Sequence, residues 1–90
     1  MKKEFFLVEM TDTFGGEANY SWVSRFKVKA ATMRGAIVKV SREAGLQGRL
    51  IKSYDTGETI RHNVSGAAIC LFTQFWGDYD NQYFNVKELS

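Results

Sequence analysis

Residues 19–30 (Asn-Tyr-Ser-Trp-Val-Ser-Arg-Phe-Lys-Val-Lys-Ala) alternate between apolar and polar side chains, and this alternation constrains the fold more than any other feature. Successive side chains in a strand point to opposite faces. One face would carry the apolar side chains, interrupted by Ser24: Tyr20, Trp22, Phe26, Val28 and Ala30. The other would carry three cations: Arg25, Lys27 and Lys29. We expect the aromatic face to cover a core, and the cationic face to meet water or a negatively charged partner.

Length and composition predict one compact domain, residues 1–90, because 90 residues suffice for a single modest core. The absence of proline suits a sheet in which every strand donates backbone hydrogen bonds. No apolar run reaches the roughly 18 residues that span a bilayer, and the apolar segment 5–8 is too short for a signal peptide. The single Cys70 excludes an intrachain disulfide. We therefore expect a cytoplasmic protein without membrane contact.

Charge is distributed unevenly along the chain. The overall net charge is only +2, but residues 25–61 carry a net +6, while residues 1–24 and 62–90 each carry −2. A basic middle with acidic flanks bears on the choice of partner and not on the fold.

Local signals predict two strands, a helix and then more strands. Residues 4–10 and 19–30 are predicted to be strands, and residues 11–18 between them a loop or wide hairpin turn. In this turn Gly15 and Gly16 would supply the positive φ angles, and Asp12 would accept hydrogen bonds from the backbone of the turn itself. Thr32 is a predicted helix N-cap, and Gly45 a predicted C-terminal stop. Between them, apolar residues fall at helical spacing: Met33, Ile37, Val40 and Ala44.

The second half is predicted to be all strand. Residues 49–54 and 59–64 flank Asp-Thr-Gly-Glu, which indicates a hairpin. Residues 67–76 are nearly all apolar and fit a central strand or a buried helix; β-branched and aromatic content favours the strand. Residues 77–81 would turn the chain, and residues 82–87 would form a last strand. The predicted fold class is α+β: a single antiparallel sheet of five or six strands in ββαββββ order, with one helix packed on one face.

Catalytic and metal-binding chemistry is poorly supported, so we predict that the protein is not an enzyme. His62 is the only histidine and is expected to be a surface or edge-strand residue. Cys70 lies in the most apolar segment, where a thiol is usually an inert small hydrophobe, so a Cys70–His62 pair is disfavoured. One Cys and one His cannot fill a structural zinc site, and Asp12 with Glu17 does not match a calcium loop. No cofactor or metal is predicted.

Two binding sites remain as candidates. The segment 76–84 sets aromatic side chains on a Gly/Asp/Asn scaffold, which suits protein contacts. The partner-binding site would combine Trp76, Tyr79 and Tyr83 with Arg25, Lys27 and Lys29. The alternative is a nucleic-acid site of Arg25, Lys27, Lys29, Arg34, Lys39 and Arg42. A helix on the aromatic face would separate the strand cations from the helix cations, and the sequence has no aromatic–basic signature of an RNA-binding sheet.

One segment carries a family resemblance. Residues 5–45, with Lys-Ala-Ala-Thr-Met-Arg-Gly-Ala at 29–36 entering the helix, resemble small proteins of phages and mobile elements, including some anti-CRISPR inhibitors. The resemblance implies a non-catalytic inhibitor that binds stoichiometrically to a host protein or nucleoprotein complex in a bacterial cytoplasm. It assigns no site residues. A small nucleic-acid-binding domain is the alternative function, and both a monomer and a homodimer fit the sequence.

Overall fold

The structure is a computed structural model that describes residues 4–79 and 86–89, without the side chains of residues 78 and 79. Two long strands, β1 (Glu4–Phe14) and β2 (Glu17–Ala30), precede the helix α1 (Met33–Glu43). Four strands follow: β3 (Leu50–Asp55), β4 (Thr59–Val64), β5 (Ile69–Phe75) and β6 (Val86–Leu89), with a short 3₁₀ helix (Trp76–Tyr79) after β5. The predicted ββαββββ order and the α+β class are confirmed.

The strands form one six-stranded sheet in the order β3-β4-β5-β1-β2-β6. All neighbours are antiparallel except β2 and β6, which run parallel with Arg25 opposite Val86. The sheet is therefore mostly antiparallel, and its last strand joins the edge beside β2. β3 lies at the opposite edge and β4 is an inner strand.

Local signals at both ends explain where α1 begins and ends. The Thr32 hydroxyl oxygen accepts a hydrogen bond from the Gly35 backbone N–H at 3.0 Å, which confirms the predicted N-cap. At the other end Gly45 has a φ of 71°, and the Leu46 N–H donates to the Ser41 carbonyl at 2.9 Å. This is the Schellman arrangement that a C-terminal glycine favours.

The core lies between α1 and one face of the sheet. The helix contributes Ala36, Ile37 and Val40, all fully buried. Facing them on the sheet are buried side chains from four strands: Phe6, Val8, Phe26, Val28, Ala30, Val64 and Leu71. The expectation for the second half of residues 19–30 is thus confirmed, since Phe26, Val28 and Ala30 all point into this core.

The β1–β2 hairpin is longer than the sequence pattern indicated. Residues 11–14 continue β1, and the turn is the two residues Gly15 and Gly16, both with positive φ (62° and 88°). Tight hairpins favour two such residues because their twist matches that of the strands. The prediction of a loop over residues 11–18 was wrong, because threonine is a good strand former and only the glycines are needed to turn the chain.

The predictions for β3, β4 and β5 agree with the structure within a residue or two, whereas the predicted last strand, 82–87, overlaps β6 only at residues 86 and 87. The β3–β4 turn is closed by the Asp55 carboxylate, which accepts from the Gly57 N–H at 2.8 Å. Residues 69–75 form an inner strand, so the strand interpretation of segment 67–76 is confirmed. The predicted turn (77–81) and the predicted last strand (82–87) both include positions among residues 80–85, which lie outside the described residues.

Candidate binding surface

The sheet face opposite α1, here called the open face, brings together cations and aromatic rings from six segments: strands β1 to β5 and the short 3₁₀ helix. The register sets Phe5 opposite Lys29, Arg25 opposite Glu9, and Arg61 opposite Phe72. The open face comprises the side chains of Phe5, Glu9, Tyr20, Arg25, Lys27, Lys29, Tyr54, Arg61, Phe72 and Trp76. Aromatic and basic side chains are therefore interleaved here, although the linear sequence has no such signature.

At one end of the open face, two lysines lie against aromatic rings. The Lys27 ammonium is 4.5 Å from the centroid of the Phe5 ring and 5.0 Å from that of Trp76. The Lys29 ammonium is 5.9 Å from the Phe5 centroid. A cation over a ring face is attracted by the ring quadrupole, so these contacts hold the charges close to the apolar surface.

At the other end, two tyrosine rings and a guanidinium lie around Phe72. Tyr20 stacks on Phe72 with a centroid distance of 6.0 Å, and Tyr54 lies at 6.4 Å. The Arg61 guanidinium is 5.7 Å from the Phe72 centroid. Phe72 itself is buried, whereas Tyr20 and Tyr54 are 57% and 41% exposed. The accessible rings at this end are therefore the two tyrosines.

A bulge in β2 places Tyr20 on this face. The pairing of β1 with β2 shifts between Thr11 and Thr13, and Tyr20 has a φ of 57°. The prediction that Tyr20 and Trp22 enter the core was wrong. The bulge interrupts the alternation, so Tyr20 stacks over Phe72, and Trp22 remains 41% exposed.

Asp12 holds the bulge in place, although the sequence predicted that it bonds its own turn. Its carboxylate accepts hydrogen bonds from the Ser21 hydroxyl, from the Asn19 side-chain amide at 3.1 Å and from the Ser21 backbone N–H at 3.0 Å. These bonds, the Ser21 hydroxyl first, lower the pKa of Asp12 from 3.8 to about 2. The carboxylate is thus ionised at neutral pH.

The charges of the open face are only partly compensated. Arg25 forms an ion pair with Glu9, with Nε and Oε2 2.9 Å apart. Lys27 stands opposite Glu88 of β6, but within the described residues no carboxylate lies within 4.0 Å of Lys27 or Lys29. Lys27, Lys29 and Arg61 therefore supply the net positive charge of this surface.

The predicted site residues are divided among different places. Four residues of the predicted partner-binding site lie together on the open face: Arg25, Lys27, Lys29 and Trp76. The side chain of Tyr79, and the whole of Tyr83, lie outside the described residues. Arg34, Lys39 and Arg42 lie on α1, on the opposite side of the sheet, so the structure does not form a single nucleic-acid site from all six cations.

His62 and Cys70 lie on adjacent strands but on opposite faces. Register pairs His62 with the core residue Leu71, and Cys70 with Asn63 and with Thr11 of β1. The expectation of a surface or edge-strand histidine was wrong, because β4 is an inner strand and His62 is only 4% exposed. Burial raises the pKa of the Cys70 thiol, and the opposite orientations keep the two side chains apart.

Sequence reasoning missed six members of the open face: Phe5, Glu9, Tyr20, Tyr54, Arg61 and Phe72. Strand parity alone could have found Phe5 and Glu9, because they lie on the opposite side of β1 from Phe6 and Val8. The positions of Tyr54, Arg61 and Phe72 depend on the order of β3, β4 and β5 in the sheet. That order is a long-range property that local patterns do not encode.

Within residues 4–79 and 86–89, no three His, Cys, Asp or Glu side chains are grouped so that they could hold a metal ion. No helix in this part of the chain is long and apolar enough to cross a membrane. Comparisons with protein-family models, with curated proteins and with solved structures gave no match.

Proposed function

We propose that the protein is a non-catalytic binding domain that contacts a larger protein through the open face of its sheet. The observation that carries this proposal is the mixture of accessible rings with uncompensated cations on one face. Exposed Phe5, Tyr20 and Tyr54 supply apolar contact area, and Lys27, Lys29 and Arg61 supply positive charge. Aromatic side chains and arginine are enriched where proteins contact one another.

The partner that fits this surface best is a protein surface with carboxylates around an apolar patch. Direct nucleic-acid binding to the open face is less well supported, because Arg25 is neutralised by Glu9 and the central ring, Phe72, is covered by Tyr20. Each phosphate that a cation neutralises adds to backbone binding, and the six cations of the predicted nucleic-acid site are divided between the two sides of the sheet. The inhibitor role in a bacterial host, on a protein or nucleoprotein complex, is a proposal that rests on the resemblance of residues 5–45.

The test compares capture of partners from a nuclease-treated bacterial lysate by the wild type and two variants. In Lys27→Glu with Lys29→Glu, two cations of the open face are reversed. In Arg34→Glu with Arg49→Glu, the same change of charge is made on the helix side of the sheet. We expect the first variant to lose the wild-type partner and the second to retain it.

Two results would overturn the proposal. One is capture of the same partner by the Lys27 and Lys29 variant at wild-type yield. The other is loss of all capture on nuclease treatment together with direct, salt-sensitive binding of oligonucleotides that depends on Lys27 and Lys29. The latter would support the alternative function, a nucleic-acid-binding domain.

A further inference from the structure

A second basic surface lies on the other side of the sheet, between α1 and the β3–β4 hairpin. Two cavities meet there, of about 380 and 260 Å³, and Arg34 and Leu50 line both. Four cations surround the two cavities, which we call the α1–β3 groove: Arg34, Arg42, Arg49 and Lys52. His62 lines the smaller cavity. None of these residues belongs to the open face.

The groove contains cations without matching carboxylates. Among the residues that the structure describes, no acidic side chain lines either cavity. Within the described residues, Arg34, Arg42 and Arg49 have no carboxylate within 4.0 Å, whereas Lys52 lies 3.6 Å from Asp55. That pair is largely solvent-exposed and therefore weak. Guanidinium groups present several N–H donors in a fixed fork that matches phosphate oxygens.

The backbone fixes the positions of two of these arginines beside the groove. Arg34 lies in the first turn of α1, where the helix dipole disfavours a cation and favours an anion. Arg49 is fixed against Ser65: its N–H donates to the Ser65 hydroxyl at 3.2 Å, and its carbonyl accepts from the Ser65 N–H at 2.9 Å. Both side chains are exposed, so neither is used to build the core.

His62 supplies an independent observation. It is 4% exposed, and its Nδ1 is buried with no hydrogen-bond partner in the described part of the chain. A buried polar atom without a partner costs free energy, so fold stability alone does not explain the imidazole at this position beside the groove. Burial first, then Arg34 of α1 and Lys52 of β3, lower the pKa of His62, while Asp55 opposes them.

We propose that the α1–β3 groove binds phosphate groups, with the three arginines and Lys52 contacting the phosphate oxygens and the His62 imidazole lining the smaller cavity beneath them. The phosphate belongs to a small phosphate ester or to a nucleic-acid backbone, which share this chemistry. The proposal does not depend on the open face and adds a second ligand class to a protein-binding domain.

The test uses His62 as a reporter, because it is the only histidine and its imidazole signals in NMR spectra need no further assignment. Pyrophosphate, adenosine monophosphate and an oligothymidylate are titrated separately into the full chain. We expect the imidazole resonances to shift, and the pKa of His62 to rise on binding, because a nearby anion favours the imidazolium form. Removal of two guanidinium contacts in Arg34→Gln with Arg49→Gln should weaken binding about tenfold or more.

The matched control is Lys27→Gln with Lys29→Gln, which removes the same charge from the open face and should keep wild-type affinity and the histidine shift. The proposal is overturned if no probe shifts the His62 resonances, if the arginine variant binds like the wild type, or if the lysine control loses binding equally.

Tighter, strongly salt-dependent binding of the oligothymidylate would support a nucleic-acid backbone as the source of the phosphate. Equal binding of the three probes would support a small phosphate ester. Circular dichroism checks that both variants fold.

Discussion

At the scale of the single residue, Asp12 connects the two strands of the hairpin where their pairing is interrupted. Its carboxylate accepts three hydrogen bonds from Asn19 and Ser21, and this holds the bulge that carries Tyr20 onto Phe72. The sequence indicated a turn-forming role for Asp12, because aspartate is common in turns. Its true partners lie seven and nine residues away, and they became its neighbours only through the register of the hairpin.

Replacement of Asp12 by alanine should lower the melting temperature at neutral pH. The pKa of Asp12 is about 2 in the folded protein and near 3.8 without its partners. Its contribution is therefore fully present above about pH 4 and is lost as the pH falls toward 2. Thermal unfolding of both proteins across this range should give curves that converge at low pH. Parallel curves would mean that the Asp12 carboxylate does not stabilise the bulge.

Gly48 is a second residue that the structure explains, because its position leaves no room for a side chain. A Cβ at this position would lie 2.0 Å from the Ser65 carbonyl oxygen and 2.9 Å from Val64 Cγ1. Gly48→Ala should therefore destabilise the fold by about 1–3 kcal/mol, as overpacking typically does. Chemical denaturation measures this, with Gly77→Ala as the control, because a Cβ there meets nothing within 4 Å. Equal stability of the two variants would contradict the close backbone contact.

At the scale of the element, α1 was predictable because its determinants are local: a capping hydroxyl, an apolar stripe and a glycine after the last turn. The β1–β2 hairpin was predicted less well. Its turn glycines were recognised, but the extension of both strands and the bulge depend on contacts across the hairpin. The parallel pairing of β6 with β2 joins residues about 60 positions apart, and no local pattern encodes it.

The N-cap gives a prediction at the element scale. Thr32→Ala removes the oxygen that accepts from the Gly35 N–H, and should cost about 0.5–2 kcal/mol of stability. Thr32→Ser keeps that oxygen and should remain within a few tenths of a kcal/mol of the wild type. Urea denaturation of the three proteins distinguishes them. An unchanged midpoint for the alanine variant would show that α1 does not depend on its cap.

At the scale of the whole molecule, the sheet separates charges that are adjacent in the sequence. The net +6 of residues 25–61 indicated one basic region, yet the fold divides it into the open face and the α1–β3 groove. The alternation in residues 25–30 predicted this separation for the strand cations. The groove could not be predicted, because Arg49, Lys52 and His62 join Arg34 only through the packing of α1 beside β3 and β4.

The central claim, that the open face is the contact surface for a protein partner, is tested most directly by lysine footprinting of the captured complex. Acetylation of Lys27, Lys29, Lys52 and Lys87 is measured by mass spectrometry in the free and the bound protein. Bound partner should protect Lys27 and Lys29, and leave Lys52, on the other side of the sheet, as reactive as before. Protection of Lys52 with unchanged Lys27 and Lys29 would place the partner elsewhere and contradict the account.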